Sequence, residues 1–319
     1  MAILETFKTD TPDMRDAYIN SLIKCAESDP RIAIIDCDMR TSMGTKPFAD
    51  RFPDRSFNLG IQEANACGVA AGLAAGGFIP FLHTFSVFLT RRIYDQIFLS
   101  CAYARQNVKL IGGDAGVSTA INGGTHMPFE DIGILRCIPD ITIVEPADAV
   151  AMTAITPQLL SHDGVCYMRM PRRAVPGLYT DDSNFKIGKA NVLCDGSDVT
   201  IIASGMMVGQ ALLAANELAA QGIKARVVDM FTIKPIDIDC IVESAEKTGA
   251  IVTAENHNVI GGLGSAVSEV LSEHAPVPME RVGVREEFGE VGPVEYLMER
   301  FGLLAPDIIA KVNKVLKRK

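Results

Sequence analysis

No basic block interrupts this chain of 319 residues, and its formal net charge is −9. That balance excludes a dedicated nucleic-acid or membrane-surface binder. The eight cysteines contain no C-x-x-C pair, and the five histidines (His83, His126, His162, His257, His274) show no metal-ligand spacing. No structural metal of the chain's own is therefore expected, and cysteines set in IIDCDM and NACGVA read as buried reduced thiols. MAILETFKTD turns polar at once, without a signal-peptide pattern. Apolar stretches are broken by Gly, Pro, His or Arg before they reach membrane-spanning length. These absences lead to the expectation of a soluble cytoplasmic protein.

What is present is an alternation of apolar runs and helical periods. Thr11-Pro12 resembles a helix start, followed by Met14, Tyr18, Leu22 and Cys25 at helical spacing. RIAIIDCD (31–38), FIPFLH (78–83), NVKLIGG (107–113), ITIVEP (141–146) and GVCYMRM (164–170) read as buried strands. Helices are expected from Gln62 through the Ala-rich stretch, over 87–104, and after Ala147-Asp148. This pattern predicts an α/β fold with a doubly wound parallel sheet. PRRAVPGLYTDDSNFKIG (171–188) is the linker candidate, and alternation restarts beyond it. The expected division is 1–185 and 186–319, two doubly wound α/β domains.

In open α/β sheets, sites lie at the carboxyl ends of the strands. Four such ends are polar: Asp38, the NLGIQE turn, HTF (83–85) and GGDAG (112–116). Glu63 is the sole charged residue in NLGIQEANACGVAAGLAAGG (58–77). A first-turn carboxylate that complements the helix dipole is the common reading of such a residue. The small residues around it allow a close-packed junction, in which a desolvated carboxylate would share a proton with a ligand nitrogen. Phe85 and Phe88 read either as core or as a stacking platform for a flat heterocycle. His126 lies in the long Gly-rich loop STAINGGTHMPFED, either as a loop-stabilising or as a functional histidine.

Taken together, RFPDRSFNLGIQEANACGVAAGLAAGG, HTFSVFLTRRIYDQ and GGTHMPFEDIGILRCIPDITIVEPAD resemble the C-terminal half of transketolases. Order and spacing are also similar to deoxyxylulose-phosphate synthase. The likeness runs from about residue 12 to the end and implies a pyrimidine-binding domain followed by a transketolase C-terminal domain. It implies a thiamine diphosphate enzyme that transfers a two-carbon ketol unit from a ketose to an aldose through an ylide. Glu63 matches the glutamate that hydrogen-bonds N1′ of the aminopyrimidine, so its implied counterpart is a ring nitrogen, not a charged side chain. Phe85 and Phe88 match the ring-stackers. His126 matches a histidine contacting donor hydroxyls, and Asp38 an acidic residue near the cofactor. Arg15, Ser42 and Arg169 match phosphate-gripping positions, although Arg15 and Arg169 equally suit surface or ion-pair roles.

The family's G-D-G segment with a following Asn, which holds diphosphate and Mg²⁺, does not occur here. The resemblance thus implies one subunit of a split enzyme. A separate N-terminal subunit would carry Mg²⁺, in an α2β2 assembly with the cofactor across the interface. Two positions depart from the family. Asp114 stands where members acting on phosphorylated sugars often have histidine, and a carboxylate there repels phosphate. Asn122 replaces the Asp of E-D-G-x-T-H, keeping a hydrogen bond but no charge. His257, in ENHNVIGGLGSAV, matches a C-terminal-domain segment whose glycines read as close helix packing. The alternatives are the β subunit of a 2-oxo acid dehydrogenase, a deoxyxylulose-phosphate-synthase-like enzyme, or a non-catalytic scaffolding subunit.

Overall fold

The computed structural model describes residues 3–319, with side chains from Phe7 onward. Strands Ile32–Asp36, Ile79–Phe85, Lys109–Gly113 and Cys166–Arg169 are buried at every position. Their largely apolar character follows from being covered on both faces. Alternate side chains divide between two layers. Ile34, Phe81, Ile111 and Met168 pack with residues of helices Met14–Ser28 and Ala149–Ser161. Ile35, Leu82, Leu110 and Tyr167 pack with helices Glu63–Ala75 and Asp131–Arg136.

The sheet has seven strands in the order 232–234, 142–144, 166–169, 109–113, 79–85, 32–36, 56–58. All neighbours are parallel except Thr232–Lys234, an antiparallel edge strand on Thr142–Val144. That edge strand comes from the C-terminal half of the chain. Strand 32–36 is followed outward by 56–58, and strand 79–85 by 109–113 on the opposite side, so the strand order reverses between 32–36 and 79–85. A crevice at such a reversal is where open α/β sheets bind ligands.

A second sheet has five strands in the order 279–284, 251–258, 199–203, 225–229, 191–194, with only Asn191–Cys194 antiparallel. A two-stranded ribbon pairs Ile3–Lys8 with Gly177–Tyr179. One apolar cluster runs from Ile34 and Met168 to Ile201 and Val252, so the two larger sheets share a core.

One local expectation needs correction. The helix expected over 87–104 is broken: Ser86–Leu89 is helical, a turn follows, and helix resumes at Tyr94–Gln96 before a π-helical stretch, Ile97–Tyr103. Thr90 contributes to the break, because its hydroxyl donates to the Ser86 carbonyl at 2.7 Å. In this break Arg91 pairs with Glu130 and Arg92 with Glu63. Segment 171–188, the linker candidate, packs against both halves of the chain. The Leu178 and Tyr179 amides donate to Asp148 Oδ2 at 2.8 and 2.9 Å, and the Tyr179 hydroxyl donates to Asp229 Oδ2 at 2.6 Å.

Candidate functional site

Glu63 is the first residue of helix Glu63–Ala75, whose N-cap, Gln62, provides no side-chain cap. It does stand in a helix's first turn, as its commoner reading has it. Yet it is 3% exposed, and its Oε2 lies 2.8 Å from Arg92 Nη1. Within this chain Glu63 is paired with a charged side chain, Arg92. The stretch around Glu63 contains no cation; Arg92 arrives from the turn after Phe88. The Arg92 guanidinium also lies 3.9 Å from the centre of the Phe88 ring.

Phe88 continues the group. Its ring centre is 5.2 Å from the His126 ring, edge-on, and 6.1 Å from Phe85. His126 stands 6.1 Å from Phe85, also edge-on, and its Nδ1 is 2.9 Å from Thr125 Oγ1. The loop carrying His126 is fastened on two sides. The Thr119 hydroxyl is shared between the carbonyls of Asp114 (2.7 Å) and His126 (3.1 Å). Arg91 donates to Thr125 O at 3.1 Å and to Glu130 Oε1 at 2.9 Å. Gly124 permits the close approach of a second loop, since a Cβ there would collide with the Gly289 carbonyl.

Beyond Phe85 the wall becomes charged. Arg172 lies 6.0 Å from the Phe85 ring centre, and its Nη1 meets Asp114 Oδ2 at 3.2 Å. Asn122 Nδ2 reaches the same oxygen at 3.4 Å, while Asp114 Oδ1 is buried with no partner. Burial raises the Asp114 carboxyl to about 6, against the opposing pull of Arg172 and Arg15. Asp114 adopts a left-handed φ of 58° at the end of strand Lys109–Gly113. Gly113 before it gives the tight approach: a Cβ there would sit 2.5 Å from Met43 Sδ. Arg15 is gripped by Asp13 through Nε (3.1 Å) and Nη2 (3.0 Å), and donates from Nη1 to the Ser42 carbonyl at 2.7 Å. Ser42 thus meets Arg15 through its backbone.

The structure therefore brings Glu63, Phe85, Phe88, His126, Asp114 and Asn122 into one contiguous wall, with Arg15 and Ser42 at its edge. Two expected residues stand apart. Asp38 is exposed and tied to Asn58, which accepts from its amide at 2.9 Å and donates to its Oδ1 at 3.2 Å. Its neighbour Asp36 is the buried one, held by Thr45 at 2.7 Å and raised by burial to about 6.

Arg169 is completely buried and donates to Asp131, Glu145, Pro128 O and Asn256 O. This geometry is that of the ion-pair arginine its sequence context allowed, not of a phosphate grip. Burial opposes its charge, but Asp131 and Glu145 hold it firmly protonated. The arginine at the wall is Arg172, three residues further on, inside the linker candidate. Arg91, Arg92 and Arg172 are the residues that sequence reasoning missed. The RR doublet after Phe88 and the PRR triplet after strand Cys166–Arg169 were their signals.

The C-terminal half supports this wall. Asn256 Oδ1 accepts from the Val117 amide at 3.0 Å, and its Nδ2 donates to Ala115 O at 3.1 Å. His257 is wholly buried, with Nδ1 2.7 Å from Asn258 O, and it accepts at Nε2 from the Gly133 amide at 3.3 Å. The helix start Leu263–Gly264 is filled by Glu255, whose carboxylate accepts both amides at 2.7 and 2.9 Å. These glycines serve close packing, as read from the sequence.

A buried carboxylate, an aromatic wall and an imidazole suit a flat nitrogen heterocycle; the flanking arginines suit an anionic substrate. Among the described residues no helix is long and apolar enough to cross a membrane.

Comparison with known proteins defines the class. Residues 10–177 match the transketolase pyrimidine-binding domain, and residues 188–308 match the transketolase C-terminal domain. The chain belongs to the transketolase family, whose enzymes are transferases dependent on thiamine diphosphate. It is 50% identical to the 6-deoxy-6-sulfo-D-fructose transketolase subunit of Clostridium sp. (strain MSTE9), over 96% of this chain and 95% of that one. It is 38% identical to one of the subunits of the apulose-4-phosphate transketolase of Phocaeicola vulgatus, over 91% of this chain and 93% of that one. Its fold superposes on a split-gene transketolase solved as an inactive β4 tetramer, with a TM-score of 0.89, 44% identity, and 96% and 99% coverage.

Proposed function

We propose that this chain is the C-terminal subunit of a two-chain transketolase that transfers a ketol unit from a ketose to an aldose. The observation that carries this reading is the buried Glu63 carboxylate, joined through Arg92 to Phe88, which packs with Phe85 and His126. When bound, thiamine diphosphate supplies a carbanion-forming thiazolium that accepts the two-carbon unit. Glu63 holds the aminopyrimidine N1′ and controls its proton; Phe85 and Phe88 orient the ring; His126 contacts donor hydroxyls. The diphosphate and Mg²⁺ are held by a separate N-terminal subunit, since this sequence has no G-D-G segment with a following Asn. The assembly is α2β2, and the chain divides at about residue 185, with Asp38 near the subunit seam. A solved relative being an inactive β4 tetramer supports the need for a second kind of chain.

Arg172, with Arg15 and Ser42 at the edge of the wall, reads the anionic end of the sugar. Asp114 offsets part of that positive charge, which favours a singly charged sulfonate over a phosphate dianion. This agrees with the name of the 50% identical relative and makes a 6-deoxy-6-sulfoketose the preferred donor class. The two-chain transketolase relatives favour ketol transfer over the deoxyxylulose-phosphate-synthase alternative. The test is reconstitution with an N-terminal partner, assaying sulfonated and phosphorylated ketoses alongside pyruvate. Ketose turnover by the mixture, and by neither chain alone, is expected. Turnover of pyruvate without any ketose would assign the chain to the 2-oxo acid dehydrogenase branch. An active N-terminal partner unaffected by this chain would assign it a scaffolding role.

A further inference from the structure

A buried carboxylate is costly without a compensating partner. Glu63 has one in Arg92, 2.8 Å away, and the same guanidinium lies over Phe88 with its central carbon 3.9 Å from the ring centre. Guanidinium is planar, cationic and rich in N–H donors, so it stacks and pairs at once. Those two contacts, a face on Phe88 and a donor to Glu63, are the contacts that the proposed function gives to the aminopyrimidine. One side chain occupies both.

We propose that Arg92 is an internal stand-in for the cofactor's ring: it fills the Glu63–Phe88 niche in the cofactor-free chain and is displaced when the aminopyrimidine enters. The inference rests on the reading of Glu63 and Phe88 as ring contacts. Arg92 is suited to leaving. Its side chain is 45% exposed, against 4% for Glu63, so water receives the guanidinium when it swings out. Arg91, next to it, is fixed by Glu130 and Thr125 and keeps the His126 loop in place while Arg92 moves. The arrangement keeps Glu63 neutralised before the cofactor arrives. Its consequence is competition: apparent affinity falls by the fraction of molecules in which the niche is open.

The experiment titrates the reconstituted complex with thiamine diphosphate at fixed Mg²⁺ by calorimetry, for wild type, Arg92→Ala, Arg92→Gln, Arg92→Lys and Glu63→Ala. Removing the stand-in lowers the dissociation constant by about threefold to tenfold in Arg92→Ala and Arg92→Gln, the range expected for one partly exposed ion pair and one cation–π contact. Arg92→Lys keeps the charge without the planar stack and falls between these and wild type. Size-exclusion of each complex confirms assembly before titration. Unchanged or weaker binding in both Arg92→Ala and Arg92→Gln overturns the inference. Glu63→Ala separates the two readings. If it weakens binding while the Arg92 variants do not tighten it, only the stand-in fails. If it leaves binding unchanged, the assignment of Glu63 itself fails.

Discussion

The Arg172 guanidinium meets the Asp114 carboxylate at 3.2 Å, at the edge of the aromatic wall formed by Phe85, Phe88 and His126. An arginine proposed to read an anion is thereby partly neutralised. Burial raises the Asp114 carboxyl to about 6, so it is mostly ionised at neutral pH and mostly protonated below that value. A sulfonated ketose does not titrate in this range. Its KM should therefore fall as pH drops through about 6, because protonated Asp114 releases Arg172. Asp114→Asn should flatten that dependence and improve phosphorylated ketoses relative to sulfonated ones by about tenfold, roughly two thirds of the ~2 kcal/mol that a like charge costs at ~8 Å in an effective dielectric of about 20. Arg172→Ala should raise KM for either anion. The KM–pH profiles of wild type and Asp114→Asn check this.

Arg169 should matter for stability more than for substrate. It is wholly buried between Asp131 and Glu145 and also donates to two carbonyls. Arg169→Ala leaves two buried carboxylates without their cation and should cost about 3–5 kcal/mol. Arg169→Lys keeps the charge but cannot span the same four acceptors, so it should recover only part of the loss. Urea denaturation of the isolated chain measures both.

Asn256 reaches from the second half of the chain to the backbone just after Asp114. Asn256→Ala leaves the buried Val117 amide without its acceptor, at about 1–3 kcal/mol. It should also let the loop bearing Asn122 and His126 shift, lowering kcat/KM by about tenfold, within the range that misplacement near ~1 Å produces. Cofactor affinity should change little. Steady-state kinetics beside cofactor titration distinguish this positioning role from simple instability.

How much of this was readable in the sequence follows from burial. The five strands expected in the first half all form, since strands covered on both faces need largely apolar runs such as IAII (32–35). The edge strands Gly177–Tyr179, Asn191–Cys194 and Thr232–Lys234 were missed, because they are short and lie among polar and turn residues. Thr232–Lys234 additionally joins a sheet built from the other half of the chain. At the site, Glu63, Phe85, Phe88 and His126 stood out through their company in sequence. Arg92 did not, because an ion pair across a turn leaves no periodic trace. Arg169 and Arg172 show the same limit. A strand arginine and one three residues later look alike as letters, and only the fold buries the first and leaves the second half-buried beside Asp114.

The claim on which the rest depends is that Glu63 governs the aminopyrimidine proton. The direct measurement is ketol-transfer turnover by the complex of the N-terminal subunit with Glu63→Gln, at saturating thiamine diphosphate and with assembly verified by size-exclusion. The account predicts an intact complex whose turnover falls by about 10²-fold or more. Turnover equal to wild type would contradict it.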